Sequence, residues 1–257
     1  MDNDPTNEKN EIEAQTEHER PKLTEGFDKN TEERLDYEIS ADDTLTKVSK
    51  YISAIFSPLL MPTYCIALAM WLTVLSEMPE YTRLTISVVI LFITALIPMA
   101  MILGLIKAGR VSNLDITDRR QRVIPVTATA LCYVAAVIYL HRINAPDWMC
   151  MIFVGAFAAG VICALISPWW KISAHGCAAG GLIGLMLRFA VSDLGIYPMI
   201  WWIAGVIVLG GIIGVARMAL KSHTPTQFFV GEIVGALCVF LATGLPVPFA
   251  SVHIMPL

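Results

Sequence analysis

Three short polar segments interrupt long apolar runs in this chain, and each holds residue types that can act on an oxyanion. The segment "ARMALKSHTPTQ" (216–227) carries Arg217, His223 and Gln227. An imidazole is a nucleophile or a general acid–base near neutral pH, and a guanidinium fork matches phosphate oxygens. Pro225 stands where a first helical turn tolerates proline. His223, Gln227, Gly231 and Gly235 then recur at a spacing of four, which places them on one helix face. Gln227 is thus set one turn below His223 to orient its ring, and the glycines leave room for a neighbouring helix. A second segment, "KISAHGCAAGG", puts Ser173 and His175 at the start of another apolar run, where free backbone N–H groups near Gly176 favour an anion. The third, "DITDRRQRVIP", adds Arg119, Arg120 and Arg122.

The elements that must position these residues are legible from composition. Of 257 residues, 56% are hydrophobic and only 16% are charged, and much of the acid lies in the first 45 residues. Apolar runs follow that reach the roughly 18 residues a spanning helix needs. The net charge of −4 reflects the tail and points to no nucleic-acid partner. The tail, 1–45, is too polar to offset its chain entropy and is expected to be disordered. It has no basic start followed by an apolar core, so a cleaved signal is not expected.

Seven apolar segments span about 48–76, 83–106, 124–141, 148–167, 172–193, 198–216 and 225–244. In lipid they must be helices. The predicted fold is all-α, a polytopic transmembrane bundle of six to seven spans over 46–245, with a short tail at 246–257. "SPLLMP" (57–62) is expected to break the first segment into an interfacial helix and a short span. "GAFAAG" and "GCAAGGLIG" predict close helix packing.

Parity adds a spatial expectation. Counting crossings places the connections near 107–123, 168–173 and 217–224 on the tail's side, and those near 77–82, 142–147 and 194–197 on the other. All three polar segments therefore share one face. That face carries Lys47, Lys50, Lys107, Arg110, Arg119, Arg120, Arg122, Lys171, Arg217 and Lys221, against Arg83 and Arg142 opposite. The positive-inside rule makes it cytoplasmic, with the chain in the plasma (inner) membrane.

The segments resemble the signature motifs of the type 2 phosphatidic acid phosphatase superfamily, which includes lipid phosphatases and vanadium haloperoxidases. Its motifs read Lys, six residues, Arg-Pro; then Pro-Ser-Gly-His; then Ser-Arg, five residues, His, three residues, Asp. Here Ser173-Ala174-His175 matches the second, and Arg217, His223 and Gln227 match the third in spacing. The chain departs at Ile172 and Ala174 for Pro and Gly, at Ala216 for Ser, and at Gln227 for Asp. In the first motif Val123 follows Arg122, and Asp115 stands where the Lys would be.

The resemblance implies a metal-independent membrane hydrolase without a cofactor, acting on a lipid phosphate or diphosphate. His223 would form a phosphohistidine and His175 would protonate the leaving oxygen. Arg217, Arg122, Arg119, Ser173 and amides near Gly176 would hold the phosphate. Gln227 would steer His223 without the charge of an Asp. Two alternatives stand beside it. One is a catalytically weakened relative that binds phospholipid headgroups or scaffolds membrane partners, and the other is a transporter.

Two further features belong to the membrane interior. Cys65, Cys132, Cys150, Cys163, Cys177 and Cys238 have neither disulfide nor zinc spacing and read as small apolar filler. Arg188 and Glu232 fall inside spans, where charge is costly, and are expected to pair with each other.

Overall fold

The computed structural model describes residues 43–109, 123–167 and 169–245. Most of the tail, the segment 246–257, and Arg119, Arg120 and Arg122 lie outside the described residues. The chain divides between Lys47 and Val48 into two units, and the second holds the membrane helices.

Helix α1 covers residues 43–55, and α2 covers Met61–Leu72. A 3-10 turn, Val74–Glu77, leads to α3 (Glu80–Lys107). The remaining helices are α4 (Val123–Arg142), α5 (Asp147–Ile166), α6 (Ala174–Val191), α7 (Met199–Ala219) and α8 (Pro225–Ala242). Five of them, α3, α5, α6, α7 and α8, are long and apolar enough to cross a membrane. Helix α2 and the part of α4 from Thr129 are apolar but shorter.

Prolines punctuate the bundle. Pro58 falls in the turn that separates α1 from α2, and Pro62 sits in the first turn of α2, so the first apolar segment breaks where "SPLLMP" predicts. Pro79, Pro146 and Pro198 precede α3, α5 and α7 as N-cap residues. Pro98 lies within α3 instead, and a π turn at Phe92–Leu96 comes just before it. A proline ring has no N–H to give the carbonyl a turn back, and a local π turn absorbs that defect.

The core is aliphatic and aromatic. Met70, Ile90, Leu140, Met149, Phe153, Leu185 and Phe189 are fully buried, and Trp148 meets Phe189 edge-on at 5.4 Å. A second, smaller core joins Met61, Ala179, Ile213 and Phe228, with Ile52, Phe56 and Tyr64 packed against it.

Helices α6 and α8 run parallel at backbone contact. A Cβ at Gly176 would strike the backbone of Phe228, one at Gly180 that of Glu232, and one at Gly184 that of Ala236. The glycines of α8 return the contact, Gly231 against the backbone of Ser173 and Gly235 against that of Cys177. This is the small-residue packing that membrane helices use in place of a hydrophobic driving force.

Two sets of connections meet, as parity requires. Ser173 N–H donates to Gln227 O at 3.1 Å, joining the 169–173 and 220–227 segments. Ile196 N–H donates to Leu72 O at 3.0 Å, and Thr73 bridges Gly195 antiparallel, joining the start of the 73–79 connection to the one before α7.

Candidate functional site

The segment between α7 and α8 is built by two local motifs. Helix α7 ends with Lys221 in the left-handed region, φ 51°. Lys221 N–H donates to Met218 O at 2.8 Å, and Ser222 N–H donates to Arg217 O at 3.1 Å. That pair of bonds is a Schellman closure, which normally recruits glycine at its left-handed position. It turns the chain back so that His223 falls beside the last turn of α7, which carries Arg217. Helix α8 then opens on a capping box. Thr224 Oγ1 accepts from Gln227 N–H at 3.4 Å, while Gln227 Oε1 accepts from Thr224 N–H at 3.1 Å.

His223 is half-buried, and its ring lies within hydrogen-bonding reach of the Gln227 side chain and the Lys171 backbone. Its Nδ1 is buried with no hydrogen-bond partner among the described residues. Burial lowers the affinity of the ring for a proton, and the positive charges of Arg217 and Lys171 lower it further. The contacts with Gln227 and the Lys171 backbone pull weakly the other way, and the net effect is a pKa below the ordinary 6.5. The outcome is a neutral imidazole flanked by two cations.

The second segment is held by the start of α6. Ser173 is the N-cap, fully buried, and its Oγ accepts from Gly176 N–H at 3.2 Å. The Gly176 amide expected to meet a phosphate is therefore engaged in the cap. His175 follows in the first turn, and its Nε2 lies 3.1 Å from Ser53 O on α1. A carbonyl oxygen only accepts, so Nε2 carries a hydrogen in the neutral ring.

Of the residues expected at the site, the structure brings Arg217, His223 and Gln227 together, with Ser173 joined to them through its bond to Gln227. His175 is tied to α1. Arg119 and Arg122 lie outside the described residues. Gln227 has a task its spacing did not reveal, since its side-chain carbonyl closes the α8 cap. Lys171 and Ser53 were not expected. Lys171 was visible as the first letter of "KISAHG", whereas Ser53 is 122 residues away from His175 and carries no motif. Among the described residues, no three His, Cys, Asp or Glu side chains come together as metal ligands.

Arg188 and Glu232 do not pair. The one salt bridge among the described residues is Lys47–Asp43, on the surface of α1. The Arg188 guanidinium lies 5.8 Å from the centre of the Phe240 ring and beside Gly244. The Glu232 carboxylate points at Gly210 of α7. The reason is register: Gly180 faces Glu232 while Arg188 faces Phe240, two turns further along, about 12 Å at 1.5 Å per residue.

No protein-family model, characterised protein or solved structure matches this chain.

Proposed function

We propose that this protein is an integral membrane phosphatase of the type 2 phosphatidic acid phosphatase kind, hydrolysing a lipid phosphate or diphosphate. The observation that carries the reading is the half-buried His223 imidazole, biased toward its neutral form by burial and by the charges of Arg217 and Lys171, with Nδ1 unpartnered among the described residues. Cations flanking a neutral nitrogen suit attack on an anionic phosphorus, because they draw in the substrate and keep the nucleophile unprotonated. Arg217 and Lys171 take the equatorial oxygens, joined by Arg122 and Arg119 from the third segment.

In the first step an N–P bond forms to His223, the P–O bond to the lipid breaks, and the leaving oxygen takes a proton from His175. In the second, water attacks phosphorus, the N–P bond breaks, and His175 recovers a proton from that water. The six to seven spans of the sequence reading require that α2, α4 or both cross with the five longer helices, and the basic bias favours the tail and the site on the cytoplasmic face of the plasma (inner) membrane.

A second reading has its own support. Gln227 spends its side-chain carbonyl on Thr224 and brings no charge to the imidazolium that attack creates. A weakened relative that binds lipid phosphate without turning it over fits that feature.

Purified protein supplied with a panel of phosphorylated lipids, without added metal, is expected to release phosphate, and His223→Ala to abolish release. Turnover that survives His223→Ala removes the nucleophile from the scheme. Lipid phosphate binding without release selects the second reading.

A further inference from the structure

Helix α1 ends beside the candidate site, and the end is fully capped. Carbonyls in a last helical turn have no partner within the helix. Here Ile52 O accepts from Phe56 N–H at 2.9 Å, Ala54 O from Ser57 N–H at 3.3 Å, and Ile55 O from the Tyr64 hydroxyl at 2.8 Å. The remaining carbonyl, Ser53 O, accepts from His175. The imidazole is thus part of the α1 cap, and α1 is fixed against α6 by Ile52, Phe56 and Tyr64 on the core around Phe228.

The Ser53 side chain is the unusual feature. Five hydroxyls of this bundle, in helices or at their C-caps, donate to the carbonyl four residues back: Thr73 to Ala69, Thr85 to Tyr81, Ser87 to Arg83, Thr94 to Ile90 and Thr243 to Val239. Ser53 does not. Its Oγ is buried without a hydrogen-bond partner among the described residues, in a residue only 8% exposed. Buried hydroxyls are almost always satisfied, so one left over on the residue whose carbonyl holds the His175 ring marks a place for a ligand atom.

We propose that Ser53 is a further residue of the phosphate site, its carbonyl positioning His175 and its hydroxyl donating to an oxygen of the bound phosphorylated lipid. The proposal rests on the phosphatase reading and adds α1 to it. The carbonyl fixes which ring nitrogen carries the hydrogen. The hydroxyl, an uncharged donor on the same residue, recognises an acceptor oxygen held against that ring. A phosphate or diphosphate ester supplies such an oxygen, whereas an apolar chain does not.

The test separates the hydroxyl from the carbonyl. Ser53→Ala removes only the hydroxyl, and Ser53→Thr restores it. With the full chain in detergent micelles, inorganic phosphate is titrated and followed by phosphorus NMR, and the His175 tautomer is read by nitrogen NMR. Ser53→Ala is expected to weaken phosphate binding about tenfold, the scale of one hydrogen bond to a charged group. Ser53→Thr is expected to recover most of it, and the His175 tautomer to stay as in the parent protein. If alanine loosens α1, Ser53→Cys keeps the size with a weak donor and is expected to behave as alanine does. Unchanged affinity in Ser53→Ala, with binding lost in Arg217→Ala, overturns the role of Ser53 and leaves the phosphatase reading standing. A parent protein that binds no phosphate overturns both.

Discussion

Gly180→Ala is expected to damage stability and site together. A Cβ there would lie 2.6 Å from the carbonyl carbon of Glu232 and 2.7 Å from its Cα, where ordinary contact begins at 3.4 Å. The obstacle is backbone, so no side chain can swing aside, and α6 must move at least 0.8 Å from α8. A gap of about 0.5–1 Å forfeits a quarter to a half of the dispersion attraction of the atoms on either side. Overpacking of this kind costs about 1–3 kcal/mol, and the better helix propensity of alanine returns up to ~1 kcal/mol. At ~2–4 °C per kcal/mol for a chain of this size, a net cost of about 1–2 kcal/mol should lower the melting temperature by about 2–8 °C.

Gly160→Ala is the control, because a Cβ there meets nothing within 4 Å. It should be neutral or raise the midpoint slightly. Thermal unfolding in micelles by far-UV circular dichroism measures both. Because α6 carries Ser173 and His175 and α8 carries Gln227, phosphate release should fall further in Gly180→Ala than its loss of folded protein explains. A Gly180→Ala midpoint at or above that of Gly160→Ala would show that the glycine contact does not hold the bundle.

Two other outcomes follow from the site. His223 must be neutral to attack, and its pKa lies below 6.5, so the acid limb of kcat/KM should fall below that value. Lys171→Gln removes a charge that disfavours the imidazolium and should move the limb up toward 6.5, while a limb that stays put or moves down excludes Lys171 from the electrostatics. Gln227→Asp supplies the missing charge beside His223; in a serine protease triad the reverse change costs roughly 10⁴ in rate. A gain of more than about tenfold in single-turnover rate is expected, and no gain would mean that the Gln227 side chain serves the α8 cap alone.

Much of the site was readable because short-range rules govern it. A spacing of four puts Gln227, Gly231 and Gly235 on one face of α8, although His223 precedes the helix, and parity puts "KISAHG" and "ARMALKSHTPTQ" on one face, where Ser173 and Gln227 bond. The α8 glycines predicted a close neighbour, although which helix it is depends on tertiary packing. What stayed hidden is long-range. One partner of His175 is a backbone carbonyl, which side-chain identity does not advertise, and the Gln227 side-chain carbonyl is taken by the α8 cap. Arg188 and Glu232 were misread because depth along separate helices does not give their mutual register. Among the described residues five helices meet the length and apolarity of a span, and proline divides the first apolar segment to leave α2 short.

The repeat of four in Gly176, Gly180 and Gly184 has a consequence for how α6 and α8 find their alignment. Glycine recurs once per helical turn, so the groove looks much the same after a slide of one turn, about 5.4 Å. Smooth surfaces of this kind set distance well and position poorly. Alignment falls to the polar features at the two ends: the bond from Ser173 to Gln227 at one, and Arg188 over Phe240 beside Gly244 at the other. The arginine that looked like half of an ion pair sits instead at the end of the α6–α8 contact opposite the Ser173–Gln227 bond.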